Sequence, residues 1–199
     1  MKGTRIIAGN FKRERLGAVP RSLPVRPMLA RIKKSLFDIL KNRIPESSFL
    51  DLFSGSGSVG FEAFSRGAKK VVWVDSNRRC QEWILGTLER IFQKYGDPGL
   101  EEKVKVYHRD VLAGLAWLAQ EFDIIFAGPP YKDRSKNPLR YVETLLEIVG
   151  RDHVLKNGGT FIIQHHAKEI FNVPVGWDLF RKERYGDSVL SFFRNAREV

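Results

Sequence analysis

From Phe49 onward, short apolar runs alternate with stretches whose apolar residues recur every three or four positions. The first pattern is that of a buried strand and the second that of a helix. Phe49–Phe53, Lys70–Val74, Val104–Tyr107, Phe122–Ala127 and Thr160–His165 read as strands. Ser56–Ser65, Arg78–Phe92, Val111–Ala119 and Leu139–Gly150 read as the helices between them. In Arg78–Phe92, the residues Cys80, Trp83, Ile84, Leu88 and Ile91 make one apolar stripe. Such alternation predicts a parallel sheet covered by helices. Two last runs, Asp178–Arg184 and Ser188–Phe193, are split by the hairpin signal Gly186-Asp187. They predict an antiparallel pair at one sheet edge.

The segment before Phe49 is patterned differently. Arg5–Asn10 is β-prone, ends in Gly-Asn, and is expected to pair with about Arg15–Val19 as a hairpin. Pro20, Pro24 and Pro27 predict an extended connection. Leu29, Ile32, Leu36, Ile39 and Leu40 then fall at helical spacing over Met28–Lys41. Arg31, Lys33, Lys34 and Lys41 are expected mostly off that face, and Pro45 ends the helix.

Charge separates these two regions. The 199 residues carry 34 Lys+Arg and 23 Asp+Glu, a net charge of +11. Residues 1–45 hold 12 basic and 2 acidic side chains, a net of +10, and the rest hold 22 and 21. A basic arm therefore precedes a nearly neutral body. A polyanion such as nucleic acid suits the arm, and a solvated tail is the bland alternative. At 43% hydrophobic and 29% charged, the chain is neither disordered nor membrane-embedded. Its longest apolar runs are strand-length, no apolar segment suited to a secretory signal follows the first charges, and no membrane partner is expected. The single cysteine, Cys80, excludes a disulfide scaffold and fits a reducing, cytoplasmic setting.

Candidate chemistry sits at the strand ends. Asp51-Leu52-Phe53-Ser54-Gly55-Ser56-Gly57-Ser58-Val59-Gly60 follows the first body strand and opens a helix. Glycines there let the backbone turn tightly and approach a ligand. Asp75 ends the second strand, 20 residues after Gly55, where an acid can bond ribose hydroxyls. The glycine spacing also satisfies a dinucleotide fingerprint. Asp51 favours S-adenosylmethionine: an acid before the glycines suits a cationic amino group and sits badly beside a pyrophosphate. Asp110 follows the third strand and can accept from an adenine amino group, cap the next turn, or do both. Gly128-Pro129-Pro130-Tyr131 follows the strand Phe122–Ala127. Its prolines stiffen the loop, its carbonyls can accept hydrogen bonds, and Tyr131 can stack on an unstacked base or simply pack. Lys132, Arg134 and Lys136 follow and suit phosphates, although many solvated loops are equally basic. Trp73, Trp83, Trp117 and Cys80 read as packing residues. His165 and His166 point to opposite faces of a strand and make no metal site, so no metal is expected.

These residues resemble the bacterial methyltransferases that modify guanine N2 in small-subunit (16S) ribosomal RNA. The likeness runs from Arg5-Ile6-Ile7-Ala8-Gly9 through Arg26-Pro27, Arg31 and Leu36-Phe37-Asp38-Ile39-Leu40. It continues through the glycine turn, Gly60-x-Glu62-Ala63, Ser65-Arg66-Gly67-Ala68, Asp75, Asp110 and Pro129-Pro130-Tyr131. It ends at Gln164-His165 and Tyr185-Gly186-Asp187-Ser188. It implies an α/β, Rossmann-like class I S-adenosylmethionine-dependent methyltransferase fold with a seven-stranded, mostly parallel sheet. A basic hairpin-plus-helix extension over 1–45 would bind RNA and cover the cofactor, and 46–199 would be the methyltransferase domain. Asp51, Phe53, Ser54, Gly55, Gly57, Asp75, Ser76, Asp110 and Val111 would hold the donor. Gly128, Pro129, Pro130 and Tyr131 would form the catalytic loop. Lys12, Arg13, Arg15, Arg26, Arg31, Lys132 and Arg134 would bind ribosomal RNA, within an assembling small subunit.

The chain departs from that family at four positions. The loop normally begins with Asp or Asn, and here begins with Gly128. Met28 stands where the arm usually has Thr, Ala30 where it has an acid, and Gln164 where Glu precedes the histidine. Gly128 removes a side-chain acceptor for the target amine. Losing one such bond costs about 1.5–3 kcal/mol, roughly 10–150-fold in rate. A slowed or differently aligned enzyme is expected before a dead one. The rival readings are a degenerate RNA-binding assembly protein, and an amino-methyltransferase of DNA or of another RNA.

Overall fold

Most positions of β1 (Ser48–Leu52), β2 (Lys70–Asp75) and β4 (Phe122–Ala127) are apolar, and the apolar ones are buried. Strands covered on both faces read this way, and parallel sheets are built of them. The computed structural model describes residues 5–17, 28–96, 98–133 and 135–196. Its other strands are β3 (Val104–His108), β5 (Leu155–His166), β6 (Trp177–Tyr185) and β7 (Ser188–Asn195). The seven strands run in the order β3-β2-β1-β4-β5-β7-β6, the mostly parallel, Rossmann-like sheet that the sequence implies. The chain divides into two compact units, one ending at Asp110 and one starting at Val111.

In the first unit, β1 pairs parallel with β2 and β2 with β3. α2 (Ser58–Ser65) follows the glycine turn, and all its residues are buried. α3 (Arg78–Tyr95) starts where the Asn77 side chain accepts the Arg79 amide at 3.0 Å and stops at Gly96, φ 63°. Both caps are those expected of these residue types. Cys80, Ile84, Leu88 and Ile91 of its stripe are buried as expected.

The described parts of the arm, residues 5–17 and 28–45, pack into this unit. α1 (Ala30–Ile39) is shorter than the expected helix at both ends. It buries Ile32, Leu36 and Phe37, while Leu29 before it is 56% exposed. Lys33, expected off the apolar face, is 1% exposed and donates to the Arg5 carbonyl at 3.0 Å. It also pairs at 3.5 Å with Glu62, itself wholly buried on α2. The expected hairpin reduces to a tight loop with one bridge between Arg5 and Arg15 and backbone bonds joining Ile6 to Arg13 and Glu14. The amides of the next residues, Ile7 and Ala8, go to Glu62 at 2.8 and 3.1 Å. Gly9, at φ 87°, lies so close to α2 that a Cβ would come within 1.8 Å of the Ser65 carbonyl oxygen. The rest of the expected hairpin and the three prolines fall in 18–27, outside the described residues.

In the second unit, β4 pairs parallel with β5, and β7 lies antiparallel between β5 and β6, as the Gly186-Asp187 hairpin requires. β5 begins earlier than expected, at Leu155, with a register shift where Gly158 takes φ 73°. α4 (Val142–Arg151) opens where the Glu169 carboxylate accepts the Tyr141 and Val142 amides at 2.8 and 3.0 Å. The helix expected over Val111–Ala119 is two 3₁₀ turns, Val111–Ala113 and Ala116–Leu118. Gly114 between them has φ 104°, which no helix continues through. Trp117, expected to pack, is 36% exposed and donates to the Gly114 carbonyl at 3.0 Å. Among the described residues, no helix is long and apolar enough to cross a membrane.

Candidate active site

The turn after β1 is held between two carboxylates. Asp51, on β1 and 1% exposed, accepts the Gly60 amide at 2.8 Å. Gly60 lies in the first turn of α2, where a helix leaves amides without partners and favours negative charge. Burial pushes the Asp51 carboxyl well above the usual carboxylate range, the Gly60 bond opposes this, and the Asp75 charge adds to it. Asp75 ends β2 and accepts the Gly55 amide on one oxygen and the Asn77 amide on the other, each at 2.8 Å. Cys80 is fully buried, and its thiol is pushed up to about 12 by burial first, then by the charge and hydrogen bond of Asp75.

The backbone between these acids is unusual. Phe53 has φ 53°, Gly55 φ 53° and Gly57 φ 73°. A bulky residue in the left-handed region is an outlier that surrounding structure must hold. Trp73 holds it in part: its indole N–H donates to the Gly57 carbonyl at 3.1 Å. The same ring explains Gly60, since a Cβ there would come within 2.2 Å of Trp73 Nε1. Ser54 Oγ is buried with no hydrogen-bond partner among the described residues.

S-adenosylmethionine fits this set. The orphaned Ser54 hydroxyl offers a polar partner at the turn. A carboxylate has about four lone-pair sites, so two amides and a thiol leave Asp75 room for a ribose hydroxyl. Ser76 is exposed, and its carbonyl accepts His108 Nε2 at 2.9 Å, tying the ends of β2 and β3. Asp110 is exposed just past β3. Val111, in the donor set by sequence, is buried in the first 3₁₀ turn of the second unit.

In the second unit, Gly128-Pro129-Pro130-Tyr131 leaves the carboxyl end of β4, with Pro129 buried and Pro130 exposed. The half-buried Tyr131 hydroxyl lies 2.9 Å from Ser188 Oγ and accepts from Gln164 Nε2 at 2.9 Å. Its ring meets His166 edge-on at 5.7 Å. The Tyr131 carbonyl accepts the Leu139 amide at 3.0 Å, closing the loop that carries Lys132. Asp133 locks that loop by accepting from the Asn137 amide and side chain at 2.8 and 2.9 Å. Ser188, His166 and Gln164 were not assigned site roles from sequence. Their contacts depend on the pairing of β5 with β7, which the linear pattern does not display.

Of the RNA-binding candidates, Lys12, Arg13, Arg15, Arg31 and Lys132 are exposed, and Arg26 and Arg134 lie outside the described residues. No group of three or more His, Cys, Asp or Glu among the described residues is placed to hold a metal ion.

Comparison with known proteins places these features in a family. The chain is 28% identical over 196 residues to ribosomal RNA small subunit methyltransferase D of Escherichia coli K12, covering 98% of this chain and 91% of that protein. It is 27% identical over 193 residues to the protein of the same name from Haemophilus influenzae, covering 96% and 93%. The solved structure of the Escherichia coli protein yhhF superposes with a TM-score of 0.78 at 23% identity, covering 97% of this chain and 98% of that one, which establishes the fold. The family described as Conserved hypothetical protein 95 matches residues 4–194, and the chain belongs to it.

Proposed function

We propose that the protein transfers a methyl group from S-adenosylmethionine to the exocyclic N2 of a guanine in small-subunit ribosomal RNA. One observation carries the reading: Asp51 and Asp75 grip a single glycine turn, in a chain whose near full-length relatives are named small-subunit rRNA methyltransferases. The Asp51–Gly60 bond also weighs against a dinucleotide. A pyrophosphate would need the helix amides, and here a carboxyl group takes one of them.

In this reading the first unit holds the donor. Asp51 and the Ser54 hydroxyl serve its methionine end, Asp75 its ribose and Asp110 its adenine. The second unit presents the base, with Tyr131 against its face and the Gly128 and Pro129 carbonyls near its amine. The donor supplies a sulfonium methyl: the guanine nitrogen pair forms the new C–N bond, the C–S pair returns to sulfur, and the amine proton leaves to solvent. Alignment does much of the work in such a displacement. The exposed cations Lys12, Arg13, Arg15, Arg31 and Lys132 hold phosphates, and the arm over 1–45 is the RNA-binding region.

The test is methyl transfer from labelled donor to unmodified small subunits, naked ribosomal RNA and DNA, with the product nucleoside identified. N2-methylguanosine from the subunit is expected. Transfer only to DNA or to another base would replace the substrate. The degenerate reading rests on Gly128; donor and RNA binding without any transfer would establish it.

A further inference from the structure

We infer that Gln164 supplies the hydrogen-bond acceptor that Gly128 lacks, so that its side-chain carbonyl aligns the methyl-accepting amine. The inference rests on the amine-methylating reading above and names a residue which that reading does not use.

The geometry lies within the second unit. The β4–β5 register sets Ala127 opposite Ile163, which brings Gln164 level with Gly128. A Cβ built on Gly128 would stand 3.8 Å from Gln164 Oε1. The carbonyl end of Gln164 therefore borders the space that an Asp or Asn side chain at 128 would enter. The other end of the amide is committed. Gln164 Nε2 donates to the Tyr131 hydroxyl at 2.9 Å, and that hydroxyl can pass its own proton on to Ser188 Oγ, also at 2.9 Å. An amide whose nitrogen is fixed in this way has its oxygen fixed too. The half-buried Gln164 thus presents a pre-aimed acceptor beside the loop. It does not have to be ordered when the base arrives, which favours alignment.

Phe126 crowds the alternative position at 128. Its ring edge would lie 3.1 Å from a Cβ at 128, tighter than ordinary contact. A side chain at 128 therefore needs the ring to move, whereas one on β5 does not. Gly128 and Gln164 thus act together: the space left open at 128 is bordered by an acceptor on the neighbouring strand.

The experiment is single-turnover methyl transfer to the small subunit at saturating donor, with donor binding measured by calorimetry. Gln164→Leu should slow transfer about 10–150-fold, the worth of one hydrogen bond to a charged group, with donor affinity unchanged. Gly128→Asn in the Q164L background should recover tenfold or more, because it restores an acceptor without restoring the bond to Tyr131. Phe126→Leu added to that pair makes room for the new side chain. Gly128→Asn in the wild-type background should gain little. Transfer by Q164L at the wild-type rate would overturn the inference alone. So would a slow Q164L that neither G128N nor G128N/F126L relieves. Wild-type protein that leaves guanine N2 unmethylated overturns the functional reading, and the inference with it.

Discussion

The Glu62 carboxylate accepts the backbone amide of Ile7 at 2.8 Å, joining two residues 55 positions apart. The same buried carboxylate takes the Ala8 amide, the Arg66 guanidinium at 2.8 Å and the Lys33 ammonium at 3.5 Å. One acid thus ties the arm and α1 to the body. Glu62→Gln should cost about 3–5 kcal/mol, the usual penalty for removing one partner of a buried ion pair. Urea unfolding measures it, and limited proteolysis should cut the arm first. Unchanged stability would mean that Arg66 and the backbone bonds are dispensable.

RNA binding should fall when arm cations are neutralised with the fold intact. Deleting 1–45 would strip the buried Ile6, Phe11, Leu16, Ile32, Leu36 and Phe37 from the core, so deletion confounds affinity with folding. Changing the exposed Lys12, Arg13, Arg15 and Arg31 to Gln avoids this. Each phosphate left without its cation should reduce the slope of log affinity against log salt by about 0.7. Donor affinity should not move. An unchanged slope would mean that cations outside the arm neutralise the phosphates.

Asp51→Asn separates stability from donor binding. The amide oxygen can still accept the Gly60 amide, and the buried acid is gone, so thermal stability should hold or rise. Affinity for S-adenosylmethionine should drop about tenfold or more with loss of a charge-assisted bond of roughly 1.5 kcal/mol. Equal affinity in calorimetry would take Asp51 out of the donor site.

Gly60→Ala should destabilise by about 1–3 kcal/mol, as overpacking does. The added methyl would sit 2.2 Å from Trp73 Nε1 and displace the indole from the Gly57 carbonyl. Tryptophan fluorescence and urea unfolding read the shift. Trp73→Phe in the same background should return part of the loss, since it removes the colliding nitrogen.

Cys80 should make the fold alkali-sensitive. Its thiol keeps its proton to about 12 when folded and to roughly 8.5 when unfolded. Above the unfolded value the unfolded state holds fewer protons, so stability falls as pH rises. The urea midpoint of wild type should therefore decline more steeply between about pH 8.5 and 10 than that of Cys80→Ala. A thiol reagent should label Cys80 only after unfolding. Parallel profiles would show that other groups set the slope.

The strand–helix order, the terminal hairpin, the glycine turn and both its acids were legible in the sequence. Each depends on local pattern: buried strands are apolar at nearly every position, and turns need glycine. The expected helix over Val111–Ala119 failed because apolar spacing does not report the backbone angle of Gly114. Of the N-terminal hairpin, the described residues form the Arg5–Arg15 bridge, beyond which the Ile7 and Ala8 amides meet the Glu62 carboxylate, a partner that local pattern does not display. Lys33 looked like one more surface cation because its partner, too, is distant in the chain.

The sequence by itself determined the element order, the concentration of charge in the first 45 residues and the family pattern at the strand ends. Tertiary structure alone decided which side chains meet. It set Trp73 against Gly60, Glu62 against the arm, and Gln164 beside Gly128. Such contacts depend on strand register and on close approach between distant segments, which are properties of packing in three dimensions. The missing acceptor at 128 is a visible gap in a linear motif, and only the pairing of β4 with β5 reveals what stands next to it.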